Sequence, residues 1–487
     1  MKLNENALPQ LTIQVPAYDR RAVLVGIAHF GVGGFHRAHQ AMYVDRLLNT
    51  GLAAGWGICG IGVMPGDKRM RDALLGQDGM YTLIVENPDG TRDAQVIGSI
   101  VDFRYAPDDP EAVIELLAAP TTRIISLTVT EGGYNIRDDG EFDTDNPDVQ
   151  HDLRGDEPPV TVFGLVAAAM ARRRDRGLPS PTIVSCDNIV ENGNVARRAF
   201  TAFAEVSDPS LAQWMRENTR FPNSMVDRIT PVTTPDVIQA LEADFGVTDA
   251  WPVATEPFTS WVLEDDFGDG RPPLEEAGVQ LVDDVAPYEM MKLRLLNASH
   301  QSLCYFAYLA GYRLVHEAAQ DPLITEFLRR YMDSEATPTL RPVPGIDLDD
   351  YKRTLLERFA NAYVRDKVAR LCAESSDRIP KWLLPVVHDN LRAGGPVRLA
   401  GATVASWARY AEGVDENGEP IEVVDRLADS LVPIARTQRE DPTAFLANRS
   451  VFGDLVDEPR FVEPYLWTLE SLHRNGSRTT LEALLKS

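Results

Sequence analysis

The sequence of 487 residues predicts an α/β domain, built on a doubly wound and mainly parallel sheet, followed by a mostly α-helical C-terminal domain. In the first half, short apolar runs alternate with segments of helical spacing, which is typical of a sheet covered by helices on both faces. From about Pro287 onward only helical spacing occurs. We therefore predict two domains, residues 1–285 and 286–487.

The predicted strands are apolar runs that are rich in β-branched residues. In order they are Arg21–Phe30, Trp56–Val63, Tyr81–Glu86, Gln95–Asp102, Thr122–Thr130, Thr182–Cys186 and, as the last strand, Trp251–Thr255. Helices are predicted for Ala38–Leu48 and for the segments that end at Leu75 and Phe203. In the second half, helical spacing covers Glu289–Leu309, Leu323–Met332, Tyr351–Cys372, Val397–Glu412 and Val462–His473.

Bulk properties exclude several classes of function. The formal net charge of −25 argues against nucleic-acid binding, which needs a basic surface. The sequence has no secretory signal pattern and no apolar run long enough for a membrane span. Its four cysteines show no paired spacing, which fits a reducing compartment. We expect a cytoplasmic protein.

A glycine-rich turn follows the first predicted strand and precedes a predicted helix. It reads Gly31-Val-Gly33-Gly34-Phe35-His36. Glycines allow positive φ and a close approach of the backbone to a pyrophosphate, which the N–H groups of the following helix can bind. The usual fingerprint has a third glycine where this chain has His36. The turn predicts a Rossmann-like dinucleotide site; the alternative is a tight turn without a ligand.

Asp67 is the only acid that follows the second predicted strand closely, and it is our candidate for binding the adenosine ribose of NAD. Lys68 and Arg69 are adjacent and could instead accept the 2′-phosphate of NADP. Asp67 could also simply cap the helix that it precedes. We predict NAD as the cofactor.

Polar residues also follow two later strands, as Thr130-Glu-Gly-Gly133 and Asp187-Asn188. Open α/β sheets bind ligands at the carboxyl ends of their strands. The Asn188 amide could donate a hydrogen bond to a substrate oxygen, or it could merely close a turn; the residues leave both possibilities open.

The segment Lys292-Leu-Arg-Leu-Leu-Asn297-Ala-Ser-His300 brings an amine, an amide and an imidazole together. On a regular helix, Lys292 and His300 lie about 80° apart and Asn297 about 140° from Lys292, with Glu289 one turn earlier. This cluster predicts a catalytic site, and the alternative is a solvated polar stripe.

Two other interpretations of these residues are less favoured. His29, His36 and His39 have the wrong spacing for a metal site, so no metal is predicted. Tyr288 and Lys292 have the Tyr-x-x-x-Lys spacing of short-chain dehydrogenases, but they fall in the predicted helical half and not in the cofactor sheet.

Several segments together carry a resemblance that spans essentially the whole chain. They are GVGGFHRAHQ (31–40), SLTVTEGGYN (126–135), SCDN (185–188), FPNSMVDRITP (221–231), EPFTSWVLED (256–265) and PYEMMKLRLLNASH (287–300). In this order they resemble the polyol-specific long-chain dehydrogenase/reductase family. The resemblance implies zinc-independent, NAD-dependent oxidation of a secondary alcohol of a polyol, typically D-mannitol to D-fructose, with the active site between two domains.

The resemblance also implies catalytic roles. The catalytic lysine of the family falls on Lys292, its carbonyl-binding asparagines on Asn188 and Asn297, and its active-site histidine on His300. Glu289 matches a glutamate beside the proton path. The partner would be a small polyol or ketose, and family members are often monomers.

Substrate and cofactor specificity rest on fewer matches. Asp227 and Arg370 match contacts to polyol hydroxyls, and Asp67 matches the acid that favours NAD, although Gly66 replaces a second acid. Hexuronate-reducing members tend to have lysine at the position of Gly132, so its absence favours a neutral polyol. The alternatives are a fructuronate or other hexuronate or aldonate oxidoreductase, a D-arabinitol 4-dehydrogenase, or a cofactor-binding regulator without turnover.

Overall fold

The structure of the protein is a computed structural model that describes residues 1–137 and 139–486. These residues form two compact units, Met1–Ala286 and Pro287–Ser487. The described residues of the N-terminal unit form eleven strands: β1 (Val25–Phe30), β2 (Gly57–Gly62), β3 (Tyr81–Glu86), β4 (Arg92–Ile97), β5 (Ile100–Tyr105), β6 (Ile124–Leu127), β7 (Thr182–Ser185), β8 (Ser224–Asp227), β9 (Val253–Thr255), β10 (Ser260–Glu264) and β11 (Gln280–Val282).

The central sheet has the order β5-β2-β1-β6-β7, and all of its pairings are parallel. Strands β2, β6 and β7 are buried along their whole length, as expected where both faces of a sheet are covered. The strand order reverses between β1 and β6, so the carboxyl ends of these two strands mark the usual ligand-binding crevice of such a sheet. The predicted α/β fold class is confirmed.

Two smaller mixed sheets complete this unit, with the orders β4-β3-β9 and β11-β10-β8. They correct two predictions. The predicted strand Gln95–Asp102 is two strands in different sheets, because the chain changes sheets at Gly98 and Ser99, which bond to Asp45 Oδ1 (2.8 Å) and Ala41 O (2.7 Å). β9 is also not the last strand, since β10 and β11 follow it.

The helices of the N-terminal unit are mostly short. They are α1 (Gly34–Ala38), α2 (Gln40–Asn49), α3 (Asp67–Leu75), α4 (Pro110–Ala118), α5 (Pro147–Arg154), α6 (Val162–Asp175), α7 (Asn192–Ser207), α8 (Pro209–Asn218) and α9 (Pro235–Phe245). The predicted helix Ala38–Leu48 is interrupted at His39, whose φ of −124° and ψ of −94° are not helical. α1 therefore ends directly after the glycine turn.

The C-terminal unit is helical. After α10 (Ala286–Met291), its helices are α11 (Ala298–Leu309), α12 (Val315–Ala319), α13 (Pro322–Tyr331), α14 (Leu348–Phe359), α15 (Val368–Cys372), α16 (Ser375–Trp382), α17 (Leu384–Ala393), α18 (Arg398–Tyr410), α19 (Ala428–Arg436), α20 (Arg449–Phe452) and α21 (Pro459–Lys486). α11 is buried on nearly every side, and it packs against α18, which in turn packs against α21. In the described part of the chain, no helix is both long and apolar enough to cross a bilayer.

Two segments of this unit are wound as π-helix, Lys292–Asn297 and Met332–Ala336. The predicted helix Glu289–Leu309 is thus α-helical only on either side of the first π segment. The predicted helix Tyr351–Cys372 is also wrong, because α14 ends at Phe359 and α15 begins only at Val368. Between them Arg365 has a φ of +53°, which a helix cannot accommodate.

Candidate functional site

The glycine turn after β1 is crowded at its first glycine and open at the next two. Gly31 has a φ of +89°, and a Cβ there would lie 2.1 Å from the Thr128 carbonyl oxygen. A Cβ at Gly33 would meet only the Gly31 oxygen, at 3.9 Å, and one at Gly34 would first meet the Thr230 methyl group, at 3.7 Å. A Cβ would thus fit at both positions without a clash, and the backbone N–H groups at the start of α1 are of the kind that binds a pyrophosphate. The turn therefore fits the predicted dinucleotide.

His36 occupies the place of the third fingerprint glycine, and its ring stacks on that of His29. The ring centroids are 3.4 Å apart, and both residues are buried. His29 hydrogen-bonds to Ser126 Oγ (2.8 Å) and Thr128 Oγ1 (2.9 Å), and Thr128 donates to the Gly31 oxygen (2.5 Å). Burial lowers the pKa of His29 to about 3 and holds the pKa of His36 well below its ordinary value. A neutral imidazole pair is thus tied to the glycine turn.

The histidines of this region do not converge on an ion. His29 and His36 stack, and Nε2 of His39 bonds to the Ser260 carbonyl at 3.0 Å. Phe35 in turn stacks on His39, with ring centroids 4.9 Å apart. Over residues 1–137 and 139–486, no three His, Cys, Asp or Glu side chains form a group that could hold a metal.

Asp67 is the first residue of α3 and is half-buried. Its Oδ2 accepts hydrogen bonds from the N–H groups of Val63 and Met64, both at 2.9 Å, so the carboxylate braces the turn after β2. Arg69 lies over the Trp251 ring, with 5.3 Å between the guanidinium and the ring centroid, and Lys68 is exposed. One carboxylate oxygen of Asp67 thus holds the backbone of the turn after β2.

At the carboxyl edge of the sheet, Asn188 follows β7 and is exposed, whereas the preceding Asp187 is buried. Asp227 is the last residue of β8 and is buried, with 6% of its surface exposed. Near the end of β6, Thr130 has a φ of +63°, which is uncommon for a β-branched residue. Polar groups therefore gather where strands end, as the sequence predicts.

The polar cluster of the C-terminal unit lies on and beside the first π segment. Lys292 and Asn297 are the first and last residues of that segment, and His300 lies in the first turn of α11. They are only 6%, 4% and 8% exposed, so the solvated-stripe alternative is wrong. The predicted angles are also wrong, because i→i+5 bonding rotates later residues away from their positions on a regular helix.

Asn297 presents an unsatisfied donor. Its Nδ2 is buried and has no hydrogen-bond acceptor among the described residues. Buried amides are nearly always hydrogen-bonded, and a catalytic role is one explanation for an exception. The His300 ring packs against Phe359, with centroids 4.3 Å apart, and Glu289 is half-buried on α10.

Two further candidates differ in their surroundings. Arg370 lies on α15, and its side chain is 53% exposed; its Nε donates to Asp366 Oδ1 at 2.7 Å. The Tyr288 hydroxyl donates to the Pro344 carbonyl oxygen at 2.8 Å and so binds the loop that contains Pro344. Tyr288 and Lys292 both belong to the C-terminal unit, whereas the five-stranded sheet is part of the N-terminal unit.

Sequence reasoning placed Asp187 at the end of a strand but did not identify Tyr134 as its partner. The Tyr134 hydroxyl donates to Asp187 Oδ2 at 2.7 Å, and both residues are buried. The position of Asp187 directly after a buried strand was a usable signal, but the partner tyrosine is 53 residues earlier in the chain. Such a pairing follows only from the adjacency of β6 and β7.

Comparison with known proteins identifies two family models in succession. The Rossmann domain of mannitol dehydrogenases matches residues 25–276, and the C-terminal domain of mannitol dehydrogenases matches residues 284–473. Among curated relatives, a mannitol 2-dehydrogenase of Phaeosphaeria nodorum is 46% identical over 99% of this chain and 85% of its own. One from Aspergillus fumigatus is 43% identical over 99% of this chain and 98% of its own.

Solved structures agree with these matches. The Pseudomonas fluorescens mannitol 2-dehydrogenase, in a ternary complex with NAD and D-mannitol, has a TM-score of 0.91 and 46% identity, with full coverage of both chains. A D-sorbitol dehydrogenase in substrate-free form has a TM-score of 0.92 and 36% identity, covering 99% of this chain and 100% of its own. These matches extend over both units.

Proposed function

Because this chain belongs to the mannitol dehydrogenase family, we propose that it oxidises D-mannitol to D-fructose, reversibly and with NAD. The relatives at 43–46% identity are mannitol 2-dehydrogenases, and the relative solved with D-mannitol matches the whole chain. NAD, when bound, accepts the hydride of the secondary alcohol. The residues of this chain bind the reactants, hold them in place and move the proton.

The glycine turn and Asp67 bind the dinucleotide in this proposal. The open backbone at Gly33 and Gly34 faces the pyrophosphate, and Gly31, Phe35 and His36 keep that turn in its conformation. The carboxylate of Asp67 accepts hydrogen bonds from the adenosine ribose hydroxyls. A negative charge at this position repels a 2′-phosphate, which favours NAD over NADP.

The unsatisfied Nδ2 of the buried Asn297 is the observation that carries the mechanism. It supplies a hydrogen-bond donor for the reacting oxygen, five residues from the buried amine of Lys292. We propose that neutral Lys292 takes the hydroxyl proton during oxidation and that its ammonium returns the proton during reduction. An ordinary lysine pKa of ~10.4 is too high for this, and removal of water from the amine acts in the required direction.

The remaining polar residues stabilise charge and position the polyol. Asn188 and Asn297 donate N–H bonds to the developing alkoxide, which removes negative charge from the transition state. His300 bonds a neighbouring hydroxyl, and Glu289 passes the proton from Lys292 toward solvent. Asp227 and Arg370 hold the more distant hydroxyls. No metal takes part in this scheme, because an amine performs the proton transfer.

A polyol panel tests the proposal. NADH formation at 340 nm is measured with D-mannitol, D-sorbitol and D-arabinitol, using NAD and then NADP, before and after treatment with a chelator. D-Sorbitol is the second candidate, because the D-sorbitol dehydrogenase structure also matches this fold throughout. The reverse reaction compares D-fructose with fructuronate. Tight NADH binding without turnover of any of these compounds would instead favour a regulator.

A further inference from the structure

One buried carboxylate connects two of the turns at the carboxyl edge of the central sheet. Asp187 Oδ1 accepts from the N–H of Thr130 (2.8 Å), and Oδ2 accepts from the N–H of Val129 (3.0 Å) and the hydroxyl of Tyr134 (2.7 Å). The same Tyr134 hydroxyl lies 2.6 Å from Ser185 Oγ. The turn after β6 is thus held at both of its ends by the residue that directly precedes Asn188.

The turn that Asp187 holds is strained. Thr130 combines a φ of +63° with a ψ of 170°, a conformation that costs of order 1–3 kcal/mol and persists only when its surroundings enforce it. Gly133 packs tightly on Val129, since a Cβ at Gly133 would lie 2.7 Å from the Val129 Cβ. Two of the hydrogen bonds that enforce this turn go to Asp187.

Asp187 is also held from its other side. The buried side chain of Asn192, the first residue of α7, donates to the Asp187 carbonyl oxygen at 3.0 Å and to the Ser224 carbonyl oxygen at 2.8 Å. The N–H of Ser224 donates back to Asn192 Oδ1 at 2.8 Å. The backbone around Asn188 is therefore fixed to β6, α7 and β8 together, while the Asn188 residue itself is exposed.

We infer that Asp187 is a positioning residue for the reaction: it fixes the Asn188 amide and the Thr130–Tyr134 turn where the reacting oxygen needs them. This inference rests on the proposed function, since it assumes that Asn188 donates to the alkoxide. A carboxylate that only stabilised the fold would not need to join the strained turn to this asparagine. Displacing a catalytic donor by about 1 Å can cost roughly 100-fold in rate.

Asp187→Asn tests the inference, because the amide keeps the shape of the side chain but cannot accept every hydrogen bond. We expect kcat and kcat/KM for D-fructose reduction to fall together by roughly 100-fold, which is the signature of a contact made in the transition state. The dissociation constant of NADH, measured by fluorescence titration, should stay within about twofold. The melting temperature is measured in parallel.

Asp152→Asn is the matched control. Asp152 is also buried and accepts from two backbone N–H groups, those of Val160 (2.8 Å) and Thr161 (2.9 Å), and from the Thr161 hydroxyl (2.6 Å). It is not near any candidate site residue in sequence, so its substitution should lower the melting temperature and leave kcat unchanged. Equal losses of kcat in both variants would overturn the inference.

Tyr134→Phe is used if Asp187→Asn does not fold, because it removes the hydroxyl that bonds to Asp187 and Ser185 but keeps both backbone contacts of Asp187. A fall in kcat of about threefold or more, without a change in NADH affinity, supports the inference. Unchanged kcat in whichever variant folds overturns it. If the wild-type protein turns over none of the sugars, the proposed function is wrong. If the wild type is active and the variant is equally active, only the inference about Asp187 is wrong.

Discussion

The imidazole rings of His29 and His36 stack at 3.4 Å, and both are kept neutral by burial. Below pH ~6.5 the unfolded chain binds protons at both positions, whereas the folded rings stay neutral. Their contribution to stability is therefore present above that pH and is lost as the pH falls, in the case of His29 down to about 3. We expect a loss of about 1.4 kcal/mol per pH unit for each ring in this window. Melting temperatures between pH 7.5 and 5 measure it.

A substitution separates this effect from the titration of carboxylates. His29→Gln keeps a polar side chain without a titrating ring, and its melting temperature should depend less steeply on pH than that of the wild type. His151 is the control with the opposite sign, because hydrogen bonding to Asp152 and Glu157 raises its pKa. His151→Gln should therefore make the melting temperature fall more steeply as the pH is lowered. If the melting temperatures of all three proteins depend on pH in the same way, burial of His29 does not cause the effect.

Lys292→Ala should lose nearly all turnover, since a general base typically contributes 10²–10⁴-fold, roughly, in rate. NADH should still bind, because the glycine turn is in the other unit. Lys352→Ala is the matched control: Lys352 is also buried in the C-terminal unit, and its amine forms ion pairs with Asp333 (2.5 Å) and Asp349 (2.8 Å), neither of which is a candidate site residue. Turnover of Lys292→Ala within about tenfold of wild type would remove the lysine from the mechanism.

Asn297→Ala should lower kcat by roughly 100-fold without lowering the melting temperature. The reason is that its buried Nδ2 bonds to no described residue, so the fold gains nothing from this donor. Asn390→Ala should lower the melting temperature and leave kcat unchanged, because the Asn390 Nδ2 donates to the Glu335 carbonyl at 2.8 Å. Steady-state kinetics and melting temperatures of both variants test this prediction. A change in KM alone for Asn297→Ala would show that Asn297 does not stabilise the developing alkoxide.

The sheet could be predicted from the sequence because its strands are buried on both faces and appear as continuous apolar runs. The same criterion failed at Gly98 and Ser99, where the chain leaves one sheet for another without a break in the buried pattern. It also missed β8, β10 and β11, which together form one mixed sheet; β11, at an edge of that sheet, has only three residues, all half-buried. Short edge strands depend on their neighbours more than on their own composition.

The residues of the helical cluster were predictable, but their geometry was not. Lys292, Asn297 and His300 are chemically conspicuous in any conformation. The π-helical segment that begins at Lys292 and ends at Asn297 also makes tertiary contacts, such as the hydrogen bond from the Tyr331 hydroxyl to the Arg294 carbonyl oxygen at 3.3 Å. That tyrosine is 37 residues away in sequence, and local spacing contains no information about it.

Asp67→Asn should reduce the preference for NAD over NADP by roughly tenfold, since a hydrogen bond to a charged group contributes about 1.5–3 kcal/mol. The amide oxygen can still accept from Val63 and Met64, so the turn after β2 keeps its shape. Asp72→Asn is the control, because Asp72 lies on the same helix and pairs with Arg71 at 2.7 Å. A ratio of kcat/KM for the two cofactors that Asp67→Asn leaves unchanged would exclude Asp67 from the cofactor site.

Gly132→Lys should shift the substrate preference from D-fructose toward fructuronate, by roughly tenfold or more in the ratio of kcat/KM values. A Cβ at Gly132 would meet no atom within 4 Å, so the lysine can enter without disturbing the turn. Its ammonium would then lie on the turn that Asp187 holds beside Asn188, where it can pair with a substrate carboxylate. Gly132→Gln is the control for side-chain length without charge. If both variants change the preference equally, the shift is steric; if neither changes it, the Thr130–Tyr134 turn does not select the substrate.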